Sequence, residues 1–240
     1  MITITDIHKQ FGGQEVLHGV SATFNEGTTN LVIGRSGSGK TVLLRCIVAL
    51  LTPEQGQVLY DGRDIHRLPK REGTQLRQEM GMLFQGAALF DSMSVLQNVL
   101  FPLEMFSSKT YREQLARARF CLERVGLMDA EKKMPSELSG GMQKRVAIAR
   151  AIALEPRYLF CDEPNSGLDP ISSRIIDTLI SDITHEYGIT TIVNTHDMGS
   201  VYNIGEQILF IHEGTVEWRG DKDTIAATAS EHLKVFLASS

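Results

Sequence analysis

Cysteine is scarce in this chain of 240 residues. Cys46, Cys121 and Cys161 are too few and too scattered for a disulfide framework or a thiolate metal site. Each lies in an apolar or helical run, so they read as small core residues kept in a reducing compartment. Long hydrophobic runs are also missing. The longest, VLLRCIVALL at 42–51, contains Arg45 and is far shorter than the roughly 17–25 residues a bilayer span needs. Asp6 and His8 interrupt the N-terminus before the apolar stretch of a secretory signal could form, so no leader is expected. Nor is there an excess of basic charge. The net charge of −5 argues against a nucleic-acid partner. No internal repeat, low-complexity tract or linker stands out.

What remains has ordinary globular composition, 42% apolar and 22% charged, in a length suited to one large domain spanning 1–240. MITITDIHKQF and VLHGVSATFNEG alternate apolar and polar positions, as antiparallel strands with one wet face do. GQVLYDGRDI reads as a hairpin turning at Asp61-Gly62. TNLVIG, MGMLFQ, YLFCDE and TTIVNTH are short continuous apolar runs, the pattern of strands buried on both faces. Helical spacing separates them, which predicts a parallel sheet with covered faces. Between about 86 and 140 the texture changes. SVLQNVLFPLEM and TYREQLARARFCLERVGL have helical period, with Leu115, Ala118, Leu122 and Val125 on one face and Pro102 and Pro135 as punctuation. The expected architecture is α/β. A parallel-sheet core over 1–85 and 141–222 carries an N-terminal antiparallel β subdomain. An α-helical subdomain is inserted at 86–140, and a helical tail covers 223–240.

GRSGSGKT at 34–41 satisfies G-x-x-x-x-G-K-[ST] through Gly34, Gly39, Lys40 and Thr41. An apolar strand precedes it and a helix follows, the context a P-loop requires. The backbone of Gly34, Arg35, Ser36, Gly37, Ser38 and Gly39 can turn its N–H groups onto phosphates. Lys40 adds a fixed positive charge, and the Thr41 hydroxyl can ligand Mg²⁺. YLFCDE supplies the second metal-side group, with Asp162 placed to hold Mg²⁺ through water. Glu163 follows at the sheet edge where the γ-phosphate should lie. It can orient or deprotonate an attacking water, a role worth roughly 10²–10⁴-fold in rate. A second anion site is implied by ELSGGMQKR, where Ser139, Gly140 and Gly141 stand at the start of a basic, amphipathic helix. One chain then carries two phosphate cradles.

These residues resemble the ATP-binding cassette (ABC) ATPases, and the resemblance covers essentially the whole chain. LSGGM at 138–142 looks like the signature loop, FQ ending in Gln85 like the Q-loop, and SGLD at 166–169 like the D-loop. NTHD puts His196 at the switch histidine, and Phe11 in KQFGGQEVL matches the aromatic that stacks on adenine. All occur in family order. The resemblance implies a P-loop NTPase of RecA-like fold that uses ATP and Mg²⁺ and works as a head-to-tail pair. Each signature loop would then cap the nucleotide of the other copy, which accounts for the second cradle. By the same resemblance Gln85 reaches Mg²⁺ and the attacking water, His196 contacts the γ-phosphate, and Asp169 sits at the dimer seam. One departure is Asn165, where many relatives have Thr or Ser after the Walker B proline. It is still small and polar, and no loss of activity is expected.

The signature loop has Met142 where most importer ATPases have Gln. GMLFQGAALFDSMSVLQNVLFPL and MPSELSGGMQKRVAIARAIALEP resemble the lipid-trafficking ATPases that work with MCE proteins, the Mla type. That implies a subunit held by a permease at the cytoplasmic face of the inner membrane, with an MCE protein as a further partner. Phe84, Leu89, Phe90, Met93 and Val95 serve equally as the wall of the groove that receives the permease or as interior packing. Two other readings stay open: an amino-acid or ion importer ATPase, and a non-transport ABC ATPase acting on nucleic acid or the ribosome. The second would need a coiled-coil insertion or a fused second cassette. Only about fifty residues separate Gln85 from Leu138.

Overall fold

The computed structural model describes residues 1–238. Two sheets organise them. Strands β1 (Ile2–Phe11), β2 (Gln14–Phe24), β4 (Gln55–Tyr60) and β5 (Arg63–Asp64) form an antiparallel sheet in the order β2-β1-β4-β5. Strands β3 (Thr29–Ile33), β6 (Met80–Leu83), β7 (Tyr158–Asp162), β8 (Thr190–Thr195), β9 (Gln207–His212) and β10 (Thr215–Gly220) form the second, in the order β10-β9-β3-β8-β7-β6. All of its pairings are parallel except β9 with β10.

Every residue of β3, β7 and β8 is buried, because both faces of this sheet are covered. Alternate side chains serve two separate cores. Leu159, Cys161, Leu31 and Ile33 face the helices α3 (Val95–Phe106), α5 (Gly140–Ala151) and α6 (Pro170–Tyr187). Tyr158, Phe160, Val32 and Ile192 face the antiparallel sheet and α1 (Lys40–Ile47), which lies between the sheets through Leu43, Leu44, Cys46 and Ile47. All three cysteines are buried and free.

The stretch between β6 and α5 is helical. It contains α3, α4 (Tyr111–Arg124) and two 3₁₀ turns, Met128–Ala130 and Pro135–Glu137. Both long helices open with a capping box, Ser94 with Gln97 and Thr110 with Glu113. The helical reading of SVLQNVLFPLEM holds through Pro102. It lies inside α3, which continues to Phe106. Val95 belongs wholly to the interior core, so it is no part of an exposed wall. A helix without a counterpart in the sequence reading, α2 (Lys70–Gln78), covers the edge next to β6. Its composition, KREGTQLRQ, buries only Gly73 and Leu76, too small an apolar stripe to stand out by period. Helix α5 is seated on β6 at Gly81, where a Cβ would lie 2.4 Å from the Ala151 carbonyl oxygen. Helix α7 (Met198–Ile204) packs beside α6, and α8 (Glu231–Ala238) closes the fold with Leu233 and Phe236 buried. No helix among the described residues is long and apolar enough to cross a membrane.

Candidate functional site: a phosphate-binding cleft

Parallel strands deliver their loops to one edge, so β3, β6, β7 and β8 bring their C-terminal residues together. A cleft of about 400 Å³ opens there. It is lined by Val16, Ser36, Gly37, Gly39, Lys40, Thr41, Val42, Gln85, Glu163 and His196.

The loop after β3 is built to hold an anion. Gly34 has φ 153° and a Cβ on it would sit 2.3 Å from the Ile211 carbonyl oxygen, so only glycine fits. Gly39, at φ 104°, caps α1 without a side chain, and the first-turn N–H groups of α1 stay open toward the cleft. The buried Ser38 hydroxyl has no protein partner. Lys40 folds back over the loop, its Nζ donating to the carbonyl oxygens of Gly34 at 2.7 Å and Arg35 at 3.1 Å. Burial pushes the Lys40 ammonium below the ordinary lysine value, and the carboxylates of Glu163 and Asp162 oppose that shift.

Opposite the loop stands the end of β7. The Thr41 hydroxyl donates to Asp162 Oδ1 at 3.2 Å, and the Asn194 amide donates to the same oxygen at 3.2 Å. Asn194 Oδ1 is buried and unpartnered. Glu163 takes a left-handed backbone, φ 49°, an arrangement that costs free energy for a non-glycine residue and clusters at functional sites. Its N–H donates to the Asn194 carbonyl oxygen at 2.9 Å, which fixes the turn. The carboxylate then reaches in two directions. Oε2 lies 2.8 Å from His196 Nδ1, and Oε1 lies 3.8 Å from Lys40 Nζ. Gln85 Nε2 donates to Ser166 Oγ at 3.4 Å across the cleft mouth.

The residues expected to face phosphate and metal from within one chain therefore converge. Asp162 meets Thr41, and Glu163 lies between Lys40 and His196. Phe11, Ser139, Gly140, Gly141 and Asp169 do not line the cleft. Phe11 is half-exposed at the end of β1, with the Lys9 ammonium 5.3 Å from its ring centroid. Ser139 caps α5, accepting from the Met142 N–H at 3.3 Å, and both Ser139 and Gly140 are exposed. Asp169 caps α6 through the N–H groups of Ile171 and Ser172, each at 3.0 Å, and takes the Ser172 hydroxyl at 2.6 Å. Those bonds hold its carboxyl below the usual value.

Several site residues have no strong signal in the sequence. Val16 and Val42 look like ordinary core positions yet line the cleft. Asn194 is a polar residue in a fully buried strand, and that was its available signal. Lys144 is buried on α5, and its ammonium donates to the carbonyl oxygens of Gln85 and, at 3.4 Å, Glu163. A basic residue on an amphipathic helix reads as surface, so nothing singled it out. Asn165 is also buried. Its amide donates to Asp177 Oδ1 at 2.7 Å and Ser200 Oγ at 2.8 Å, two donations that a serine or threonine hydroxyl could not both make.

A glycine-walled anion loop, an uncapped helix N-terminus, a free buried hydroxyl and a hydroxyl–carboxylate pair fit a nucleotide phosphate with Mg²⁺. The fold and this cleft define a P-loop ATPase cassette. The family description "ABC transporter" matches residues 17–166. Over 239 residues the chain is 40% identical to the intermembrane phospholipid transport system ATP-binding protein MlaF of Haemophilus influenzae, covering 99% of this chain and 90% of that one. It is 36% identical to the arginine/ornithine transport ATP-binding protein AotP of Pseudomonas aeruginosa, covering 100% and 98%. Among solved structures, the dimeric cassette of the bacterial ABC transporter MJ0796 matches with a TM-score of 0.84 and 32% identity, covering 92% of this chain and 99% of that one. The same cassette is also known as a dimer in a post-hydrolysis state bound to ADP and Pi. The chain belongs to the ABC transporter ATP-binding family, whose cassettes are ATPases that pair and work with membrane permeases.

Proposed function

We propose that this chain energises phospholipid movement across the cell envelope, as one of two head-to-tail copies held by a permease and an MCE protein. The observation that carries the reading is the 40% identity to MlaF along 99% of this chain, beside which importer relatives reach 36% and 39%. The groove beside Gln85 supports it. About 280 Å³ in volume, it is lined by Met82, Phe84, Ala88, Phe90, Phe101 and Arg150, with Phe84 and Phe90 exposed. Ala87 and Ala88 both take positive φ, and Arg150 holds their carbonyl oxygens at 2.9 and 2.8 Å, so the groove wall is braced before any partner arrives. A permease helix with an apolar face fits this surface.

In this reading Mg-ATP supplies the phosphoanhydride bond and the metal charge that balances it. The 34–39 backbone, Lys40 and the α1 N-terminus hold the phosphates. Thr41 and, through water, Asp162 hold the metal, with Gln85 beside them. Glu163 takes the proton from the attacking water, and His196 fixes the carboxylate and faces the γ-phosphate. Phe11 stacks on adenine. Ser139, Gly140, Gly141 and Asp169 belong to the neighbour's nucleotide, which agrees with their position outside their own cleft and with the exposure of Ser139, Gly140 and Asp169. An importer ATPase for amino acids is the alternative, favoured by the match to AotP. Reconstitution of the chain with its permease in proteoliposomes distinguishes the two. Under the lipid reading, an MCE protein carrying phospholipid raises ATP turnover and phospholipid moves between vesicles. Turnover that responds only to an amino-acid-loaded solute-binding protein would establish the importer.

A further inference from the structure

We propose that His212, Glu217 and His232, none of which lines the nucleotide cleft, form a binding site for a divalent transition-metal ion of the zinc type that fastens the C-terminal helix to the last hairpin. His212 ends β9 and Glu217 lies on β10, where the ladder skips a residue between Val216 and Trp218. Such a bulge re-aims the side chain it carries. His232 comes from the first turn of α8. One donor atom from each of the three lies within 4.8 Å of the others. Donors around a tetrahedral zinc ion with bonds of 2.0–2.2 Å stand roughly 3.3–3.6 Å apart, so closure draws the donor atoms together by about 1 Å and rotates the two imidazoles toward the ion.

Packing gathers the side chains, and ligation turns the two rings out of their stack, because each imidazole lone pair lies in its own ring plane. The His212 and His232 rings stack with centroids 4.1 Å apart and planes 16° apart. The stack continues through Phe210, 6.2 Å from His212, to Phe236 of α8 at 5.5 Å. His232 Nδ1 lies 3.1 and 3.0 Å from the two oxygens of Glu217, and the Ser230 hydroxyl donates to Glu217 Oε1 at 2.5 Å. The Glu213 carboxylate, 3.9 Å from His212 Nε2, adds negative charge at the same corner. Two imidazoles and one carboxylate are the donor set of three-ligand zinc sites with an open fourth position. Imidazole nitrogen selects zinc over magnesium, so the Mg²⁺ that accompanies nucleotide does not compete.

The test is calorimetric titration of the whole chain with Zn²⁺ while Mg²⁺ and ADP saturate the cleft, which keeps the cleft carboxylates from reporting. The expected result is one zinc bound per chain, with affinity lowered at least about tenfold in His232→Ala and in Glu217→Gln, and ADP affinity unchanged in both. Hydrogen exchange supplies an independent readout: zinc should slow exchange of the amides of 231–238 in the native chain and not in His232→Ala. His232 is exposed, so its truncation leaves the core intact. Equal zinc affinity in the native chain and His232→Ala would overturn the proposal, as would a native chain that takes up none. The trio would then be a hydrogen-bonded clasp only.

Discussion

Glu163 shows how much chemistry one residue can concentrate. Its backbone is left-handed, its N–H is tied to β8, and its carboxylate is shared between His196 and the vicinity of Lys40. Glu163→Gln preserves the shape and removes the base. Turnover should fall by roughly 10²–10⁴-fold in a phosphate-release assay, while nucleotide titration shows binding retained. Unimpaired turnover would remove Glu163 from the assigned role. Asp177 offers a second residue-scale prediction. Burial raises its pKa above the ordinary carboxylate value, and hydrogen bonds from Asn165, Ser200 and Asn203 offset part of that. A raised native pKa means that the folded chain holds this proton more tightly than the unfolded one. Its contribution to stability is therefore fullest in acid and is lost as pH rises from the ordinary carboxylate value through the raised one. Asp177→Asn should flatten that part of the pH profile of urea unfolding. At this scale the motif residues from Gly34 to Thr41 and Asp162–Glu163 were legible because spacing alone carries their chemistry. Asn194 and Lys144 were not, because their importance depends on which chain segments meet.

At the scale of elements, buried strands and long amphipathic helices were plain from period, and short polar ones were not. Strands β3, β7 and β8 announce themselves as unbroken apolar runs because both faces are covered. Helix α2 buries too little to leave a periodic trace, whereas the period of α3 runs straight through Pro102. Gly81 shows what period cannot reveal: a close seat for α5. Gly81→Ala puts a methyl group 2.4 Å from the Ala151 carbonyl oxygen. The cost should be roughly 1–3 kcal/mol, read as a Tm several degrees lower by calorimetry. The exposed start of α5 carries a different prediction. Ser139→Arg should abolish hydrolysis while nucleotide affinity of the isolated chain stays nearly unchanged in a fluorescence titration. Lost affinity in the solitary chain would mean that the loop serves its own cleft.

At the scale of the molecule, the alternation of strands and helices made the parallel core legible, and the antiparallel sheet followed from alternating polarity. The separation of residues 139–141 from the cleft could be reached only through family resemblance, since no local pattern says which copy a loop serves. Pairing should therefore depend on nucleotide. In sedimentation experiments the Glu163→Gln chain is expected to shift toward dimer with Mg-ATP and to return when nucleotide is removed. Mg-ATP at about 100 times its Kd should also stabilise the fold by about 2.7 kcal/mol through binding to the native state alone. A sedimentation profile unchanged by nucleotide would contradict a shared site.

The Lys144 ammonium belongs to α5, yet it grips the carbonyl oxygens of Gln85, beside the proposed permease groove, and of Glu163, beside the phosphate-binding cleft. An ammonium on a flexible stem still cannot follow two backbones that drift apart by more than a bond's tolerance. A tug on the groove thus has a lever arm to the catalytic turn that bypasses the sheet. The buried lysine acts as a rivet where α5 meets the loops after β6 and β7, so a shift of one loop registers as misalignment of the other.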